Sequence, residues 1–233
     1  MGGLMAITGP PGGGPWRVGV AVSDSVAGTF LAQGVIAALF ARERTGRGQW
    51  VHTSLLESAV HLLDFQAARW LIDGVDPRQE GNNHPTIPAM GSFDTADGMI
   101  NIGVLSDFEE FARMIGRVEL SDDPRVAHTA DRVRNRDELN SVIAEILRTR
   151  PTQEWVDLLA ETFPCGPIYR VSEVFADPQV RHLGVTTTVD GPDGRRIEVL
   201  THPVHFEGTP TSVRSGVPSP GQHTSEVLGE LGI

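Results

Sequence analysis

The stretch Val18-Gly-Val-Ala-Val-Ser-Asp-Ser-Val-Ala-Gly28 runs directly into Thr29-Phe-Leu-Ala-Gln-Gly-Val-Ile-Ala-Ala-Leu-Phe40, and it constrains this chain more than any other. Its β-branched run, Val18 to Val22, predicts a buried strand. The run breaks at Ser23-Asp24-Ser25, and a long apolar helix is predicted from about Ser25 to Arg44. Asp24 then falls at or just before a helix N-terminus, where unpaired N–H groups and the helix dipole favour negative charge. Local sequence leaves two readings open. Asp24 is either an N-cap or a carboxylate held ionised as a nucleophile or base.

The predicted helix is apolar around most of its circumference, with Ala27, Gly28, Ala32, Gly34, Ala37 and Ala38 among its residues. Such a helix belongs in a core or a subunit interface. Arg42 and Arg44 suit its C-terminal end, and Gly46 is the natural stop. Only one predicted strand precedes it, and a lone strand makes no stable sheet. The glycine- and proline-rich segment from Met1 to Pro15 reads as an interior loop. The expectation is a chain that begins in mid-fold or borrows its missing sheet from another polypeptide.

The 233 residues suffice for one large domain or two small ones, and 39% hydrophobic with 21% charged residues is ordinary globular composition. A formal net charge of -11 argues against nucleic acid or an anionic membrane surface as the main partner. The single cysteine, Cys165, excludes an intramolecular disulfide and a Cys-based zinc cluster, and suits a reducing cytoplasm. No uninterrupted apolar run reaches the length of a membrane span, and the N-terminus lacks the pattern of a signal peptide.

Further along, Trp50–Ser54 alternates like a strand, and Leu55 to about Asp73 is predicted as one helix. Gly74–Met90 dissolves into Gly, Asn, Pro and charge, a linker or functional loop. Ala96-Asp97-Gly98 predicts a hairpin inside Ser92–Val104. Helices are expected over Asp107–Ile115, Asn135–Arg148 and Thr152–Thr162, giving a small α+β domain. Pro164–Arg170 closes it and leads to a short helix containing Val174 and Phe175. Val185–Val189 and Ile197–Leu200 form a second hairpin around Gly191–Gly194, and Pro203–Phe206 is read as a further strand. Gly208–Gly221 reads as extended surface chain, and His223–Leu231 as an amphipathic helix.

Little of this carries chemistry by itself. The eight histidines come without HxH or HxxxH pairs, which argues against a metal site. His61 reads as a packed or surface histidine. Cys165 reads as an inert thiol, since no activating histidine lies near it in sequence. Gly12-Gly13-Gly14 has neither dinucleotide-binding spacing nor a P-loop lysine, and the chain contains no lysine.

Several segments together resemble the class III CoA-transferase family (CaiB/BaiF type, formyl-CoA transferase-like), which also contains the α-methylacyl-CoA racemases. They are Gly2–Gly9, the Asp24 turn, Ala37–Gln49, Gly81-Asn-Asn-His-Pro85, Phe93–Gly98, Pro164–Pro167, Val174–Val180 and Gly221–Gly232. They occur in the family's order and cover nearly the whole chain.

The resemblance implies an α/β fold: part of a Rossmann-like large domain plus a small α+β domain, in an interlocked homodimer. It places the second half of the large domain at 1–55 and a linker helix and loop at 56–84. The small domain takes 85–170, and 171–233 returns to the large domain. It implies Asp24 as the catalytic carboxylate, forming an acyl anhydride and then an aspartyl-CoA thioester. Leu55, Gly81, Asn82, Asn83 and His84 become candidate contacts to substrate or CoA. Asn82-Asn83-His84-Pro85 stands where the family has a glycine run. No permanent cofactor or metal is implied; a CoA thioester and a small carboxylic acid are the substrates. Family members also carry a dinucleotide-fold segment ahead of this region. The chain alone is therefore expected to bind CoA poorly and lack transferase activity, unless a separate N-terminal chain partners it. The alternatives are racemisation of a 2-methylacyl-CoA, with Asp24 as base, and an inactive remnant or assembly subunit. Racemases of the family have glycines after the aspartate, whereas Ser25-Val26-Ala27 is bulkier, which favours transfer.

Overall fold

A computed structural model describes residues 1–191 and 194–233. These divide into two compact units, Met1–Ile168 and Tyr169–Ile233.

In the first unit a one-turn helix, α1 (Leu4–Ile7), precedes the long helix α2 (Val22–Thr45). The predicted strand Val18–Val22 does not form. Its residues are irregular chain, Val20 is exposed, and Val22 is already the first residue of α2. A strand exists only where neighbouring backbone completes its ladder, and no described residues pair with this segment. The end of α2 matches expectation: Gly46 adopts φ 68° and its N–H donates to Arg42 O at 2.8 Å.

No uninterrupted apolar run reaches the length of a membrane span, yet one helix passes by length and mean hydropathy. By length and composition α2 is the one helix among the described residues that is long and apolar enough. Thr29 and Gln33 interrupt its apolar run but not the helix. The same properties suit a helix enclosed by protein.

Trp50–Ser54 is extended but unpaired, so it is no strand either; instead Val51 lies against α2. A Cβ at Gly34 would come within 2.9 Å of Val51 Cγ1, so the glycine admits the close approach. The predicted single helix over 55–73 is two, α3 (Leu55–His61) and α4 (Phe65–Asp73). The break falls at Asp64, whose φ of 50° and ψ of -129° lie outside the helical region. The Phe30 and His61 rings meet edge to face at 4.9 Å, and His61 is exposed, a surface histidine, one of the two alternatives expected.

Beyond the loop at 74–89 lies the best-packed part of the molecule. The hairpin β1 (Met90–Asp94) and β2 (Met99–Gly103) forms around Ala96-Asp97-Gly98 as predicted. A third antiparallel strand, β3 (Cys165–Pro167), adds to β2. Alternation turns Phe93, Ile100 and Ile102 inward. The helices α5 (Phe108–Met114), α6 (Thr129–Arg134), α7 (Arg136–Leu147) and α8 (Thr152–Leu159) surround the sheet. Leu139, Ile143 and Leu147, one helical turn apart, give α7 a single apolar stripe against that core. Trp155 of α8 is buried, and its indole N–H donates to Leu147 O at 2.8 Å. Asp97 accepts from the Thr152 N–H and hydroxyl, tying the hairpin turn to the start of α8 and holding its carboxyl below the usual range. Burial pushes the Cys165 thiol up, in keeping with an inert cysteine.

The second unit holds short helices α9 (Val171–Val174) and α10 (Pro178–His182), the hairpin β4 (Thr186–Asp190) and β5 (Arg196–Leu200), and a terminal helix α11 (Thr224–Glu230). Both strands follow the predicted hairpin, while Pro192 and Asp193 of its turn lie outside the described residues. Pro203–Phe206 is irregular rather than a strand, because no ladder extends to it among the described residues.

Candidate functional site

Asp24 sits in the first turn of α2, exposed, with Ala21 at the N-cap position. The capping reading fails: no side chain caps α2, and Asp24 lies inside the helix rather than before it. A first-turn carboxylate still faces the positive end of the helix dipole. Among the described residues it makes no side-chain hydrogen bond or ion pair, so none of them occupies its oxygens. Its neighbour Ser23 lines a cavity of about 460 Å3 with residues of the Met1–Ala6 segment. Leu55, exposed, opens α3 behind Ser54, whose Oγ caps the helix by accepting from Glu57 N at 3.1 Å.

The other predicted residues are brought together. Gly81, Asn82, Asn83 and His84 all line one cavity of about 440 Å3, along with Asp64, Phe65 and Gln66 from the start of α4. Asp24 and Leu55 do not line it.

The loop that carries these residues is fixed on both sides. Gly81, at φ 62°, donates its N–H to Gly9 O at 2.9 Å, while the Gln79 amide donates to Thr8 O and Gly14 O. The glycine-rich N-terminal segment is thus a fixed wall of the loop. On the other side Asn83 bridges to Gly91, and Ser92 N–H donates to Asn82 O at 3.2 Å. A Cβ at Gly91 would lie 2.5 Å from Asn82 O, so only glycine allows that approach. Arg136 of α7 clamps the loop from outside, donating to His84 O at 3.1 Å and to the Glu80 carboxylate.

His84 is the best-defined side chain here. Its ring stacks on Phe65 at 5.4 Å and 16°. Its Nδ1 accepts from the backbone N–H groups of Thr86 at 3.2 Å and Ile87 at 3.0 Å. Backbone N–H groups only donate, so Nδ1 carries no proton, and the neutral ring bears its proton on Nε2. Burial lowers its pKa, which keeps the ring neutral near pH 7.

Sequence reasoning missed Gln66, Phe65 and Arg136. The first two fell in the middle of a predicted continuous helix, and nothing in the pattern marked the break at Asp64. Arg136 reads as an ordinary first-turn residue of α7; its role depends on a loop more than fifty residues earlier.

The chain matches CoA-transferase family III over residues 1–224. It belongs to that family. A succinyl-CoA:mesaconate CoA-transferase of Haloarcula hispanica is 33% identical over 242 residues, covering 100% of this chain and 59% of that protein. The human succinyl-CoA:glutarate CoA-transferase is 33% identical over 232 residues, covering 98% and 53%. A CAIB/BAIF family protein of Brucella suis superposes with a TM-score of 0.78 at 31% identity, covering 99% of this chain and 60% of that one. The chain therefore spans between half and two thirds of the length of these relatives. The mixed α/β fold is that of the CaiB/BaiF family, as the sequence motifs implied.

Proposed function

We propose that this family III chain serves an acyl-CoA:carboxylate CoA-transferase, with Asp24 as nucleophile and succinyl-CoA with a short dicarboxylic acid as substrates. The substrate class is taken from its relatives, which are named for succinyl-CoA with mesaconate or glutarate. The observation that carries the reading is the state of Asp24. It is an exposed carboxylate in the first turn of a 24-residue helix, engaged by no described side chain. A nucleophile must keep its oxygens free, and the helix N-terminus favours its ionised form.

In this reading an Asp24 oxygen attacks the thioester carbonyl carbon and expels CoA thiolate, leaving a mixed anhydride. The thiolate returns to the aspartyl carbonyl, forming an aspartyl-CoA thioester and releasing the donor acid. The acceptor carboxylate attacks that thioester, giving a second anhydride and free thiolate. The thiolate then takes the acceptor acyl group and restores Asp24. No water and no redox partner enter. The chemistry calls for a fixed carboxylate whose intermediates escape hydrolysis, so in this reading Asp24, exposed in this chain, is covered by further protein in the working enzyme.

The test, run on the chain co-expressed with an N-terminal partner chain, is hydroxylamine trapping after incubation with succinyl-CoA, read by peptide mass spectrometry. Conversion of Asp24 to its hydroxamate is expected, and Asp24→Asn is expected to remove trapping and lower CoA exchange by about 10³-fold or more. Exchange that survives Asp24→Asn, or α-proton exchange of a 2-methylacyl-CoA without transfer, overturns the reading.

A further inference from the structure

The arch of chain that follows His84 depends for its hydrogen bonding on one titratable atom. Of its residues 85–88, Pro85 and Pro88 have no backbone N–H. The two N–H groups that remain, those of Thr86 and Ile87, both donate to His84 Nδ1, at 3.2 and 3.0 Å. The chain on either side is held independently of the ring. His84 N–H donates to Met90 O at 2.9 Å, and Val104 N–H donates to Ala89 O at 3.3 Å. Arg136 donates to His84 O at 3.1 Å and to Pro85 O at 3.4 Å. Ala89, buried, is fixed at φ 55°, a conformation that residues with a Cβ rarely adopt. Between these anchors the arch has one acceptor for its donors, and that acceptor titrates.

Protonation reverses the role of that atom. Nδ1 then carries a hydrogen, which meets two donors and leaves the Thr86 and Ile87 N–H groups without an acceptor. The Thr86 hydroxyl, 3.4 Å from Nδ1, is the one oxygen in reach among the described residues, and it lies beyond good hydrogen-bond length. The charged groups around the ring offer it no partner. Asp64 at the start of α4 and Arg78 and Glu80 of the loop line the same cavity, and Glu80 is paired with Arg136 of α7. The strands β1 and β2 contribute only Met90, Gly91 and Asn101, none of which titrates. No carboxylate accepts from the His84 ring among the described residues, and burial lowers its pKa from the ordinary 6.5.

We propose that His84 is a proton-operated latch: the neutral ring holds the arch over residues 85–88 in place, and a proton on Nδ1 releases it. The direction follows from linkage. A released ring has the ordinary affinity for a proton and the latched ring a lower one. The released form therefore gains as pH falls below about 6.5, and its gain ends below the latched pKa. At neutral pH and above, the latch is closed. The arch contributes to two cavities. His84 and Pro85 line the one described above, and Ile87 and Pro88 line a smaller one of about 200 Å3 with Phe108 and Arg132. Release alters both walls at once. The latch involves no substrate atom and is independent of the CoA-transfer reading.

The experiment follows the 15N-labelled full chain by NMR from about pH 7.5 to about pH 5, the range in which a histidine changes charge. The His84 ring nitrogens report the proton. Hydrogen exchange at Thr86 and Ile87, corrected for its intrinsic pH dependence, reports the arch. Protection of both amides is expected to fall on acidification by about tenfold for each unit by which the measured pKa of His84 lies below 6.5. Leu139 and Ile143 of α7 are expected to keep theirs. His84→Asn supplies an acceptor that does not titrate, since an asparagine side chain can accept from backbone N–H groups just ahead of it. Its arch is expected to stay protected at the acid end. His84→Phe is expected to lack that protection throughout. Protection of Thr86 and Ile87 that survives protonation of the ring overturns the proposal, as does a ring that takes up no proton in this range. An equal loss in His84→Asn would also sink it, because a carboxylate of the cavity would then be the trigger. Loss at Leu139 and Ile143 in step with the arch would mean global unfolding and would likewise end the idea.

Discussion

Helices α7 and α2 are both built largely from aliphatic residues, and their surroundings differ sharply. In α7, Leu139, Ile143 and Leu147 are 2%, 0% and 0% exposed, whereas in α2 Ile36, Leu39 and Phe40 are 67%, 45% and 60% exposed. In α7 the apolar residues recur every fourth position and form one stripe, which a three-stranded sheet and α8 can cover. In α2 they encircle the axis, so a neighbour on one side satisfies only part of the surface. Here that neighbour is α3 with the Val51 segment, and Ala27 is the only buried residue of α2. A one-sided pattern finds its partner within its own chain; an all-round pattern needs protein on several sides.

The contrast can be tested by substitution. Trp155→Ala should cost about 3–5 kcal/mol in denaturant unfolding, because it empties the core and removes the hydrogen bond to Leu147 O. A cost below about 1 kcal/mol would mean the α+β region is not the stability centre. Gly91→Ala should cost about 1–3 kcal/mol, since its methyl would press on Asn82 O and shift the loop that carries His84. Unchanged His84 ring signals in that variant would show that the loop and hairpin are less tightly joined than the bridge at Asn83 implies. Ile36→Ser should change stability by no more than about 0.5 kcal/mol, as for most exposed positions. A loss in Ile36→Ser as large as in Trp155→Ala, growing with protein concentration, would instead show the α2 face covered by another copy in solution.

The hairpins and most helices were legible because each depends on local pattern: alternation around Ala96-Asp97-Gly98, four-residue spacing in α7, a glycine at the end of α2. The expected strands at Val18–Val22, Trp50–Ser54 and Pro203–Phe206 failed for one shared reason. Their alternation or branching suits a strand, but a strand also needs a ladder partner, and pattern does not supply one. The Gly81–His84 segment was singled out by its family motif, and the structure places it along one cavity. Gln66 was not, since it lines the same cavity only through a helix break that no glycine or proline announces.

The sequence by itself determined the aspartate entering the long helix and the segments able to pack a core, since spacing encodes these locally, and its ordered motifs carried the resemblance to the family. Only the tertiary structure decided which of these groups meet. It gathered Gln66 and His84 into one cavity, fixed the proton of His84 through backbone donors two and three residues away, and left Asp24 outside that cavity. Such facts depend on where the chain turns in space. Here that turn hangs on one aspartate, Asp64, held at positive φ between two helices that read as one.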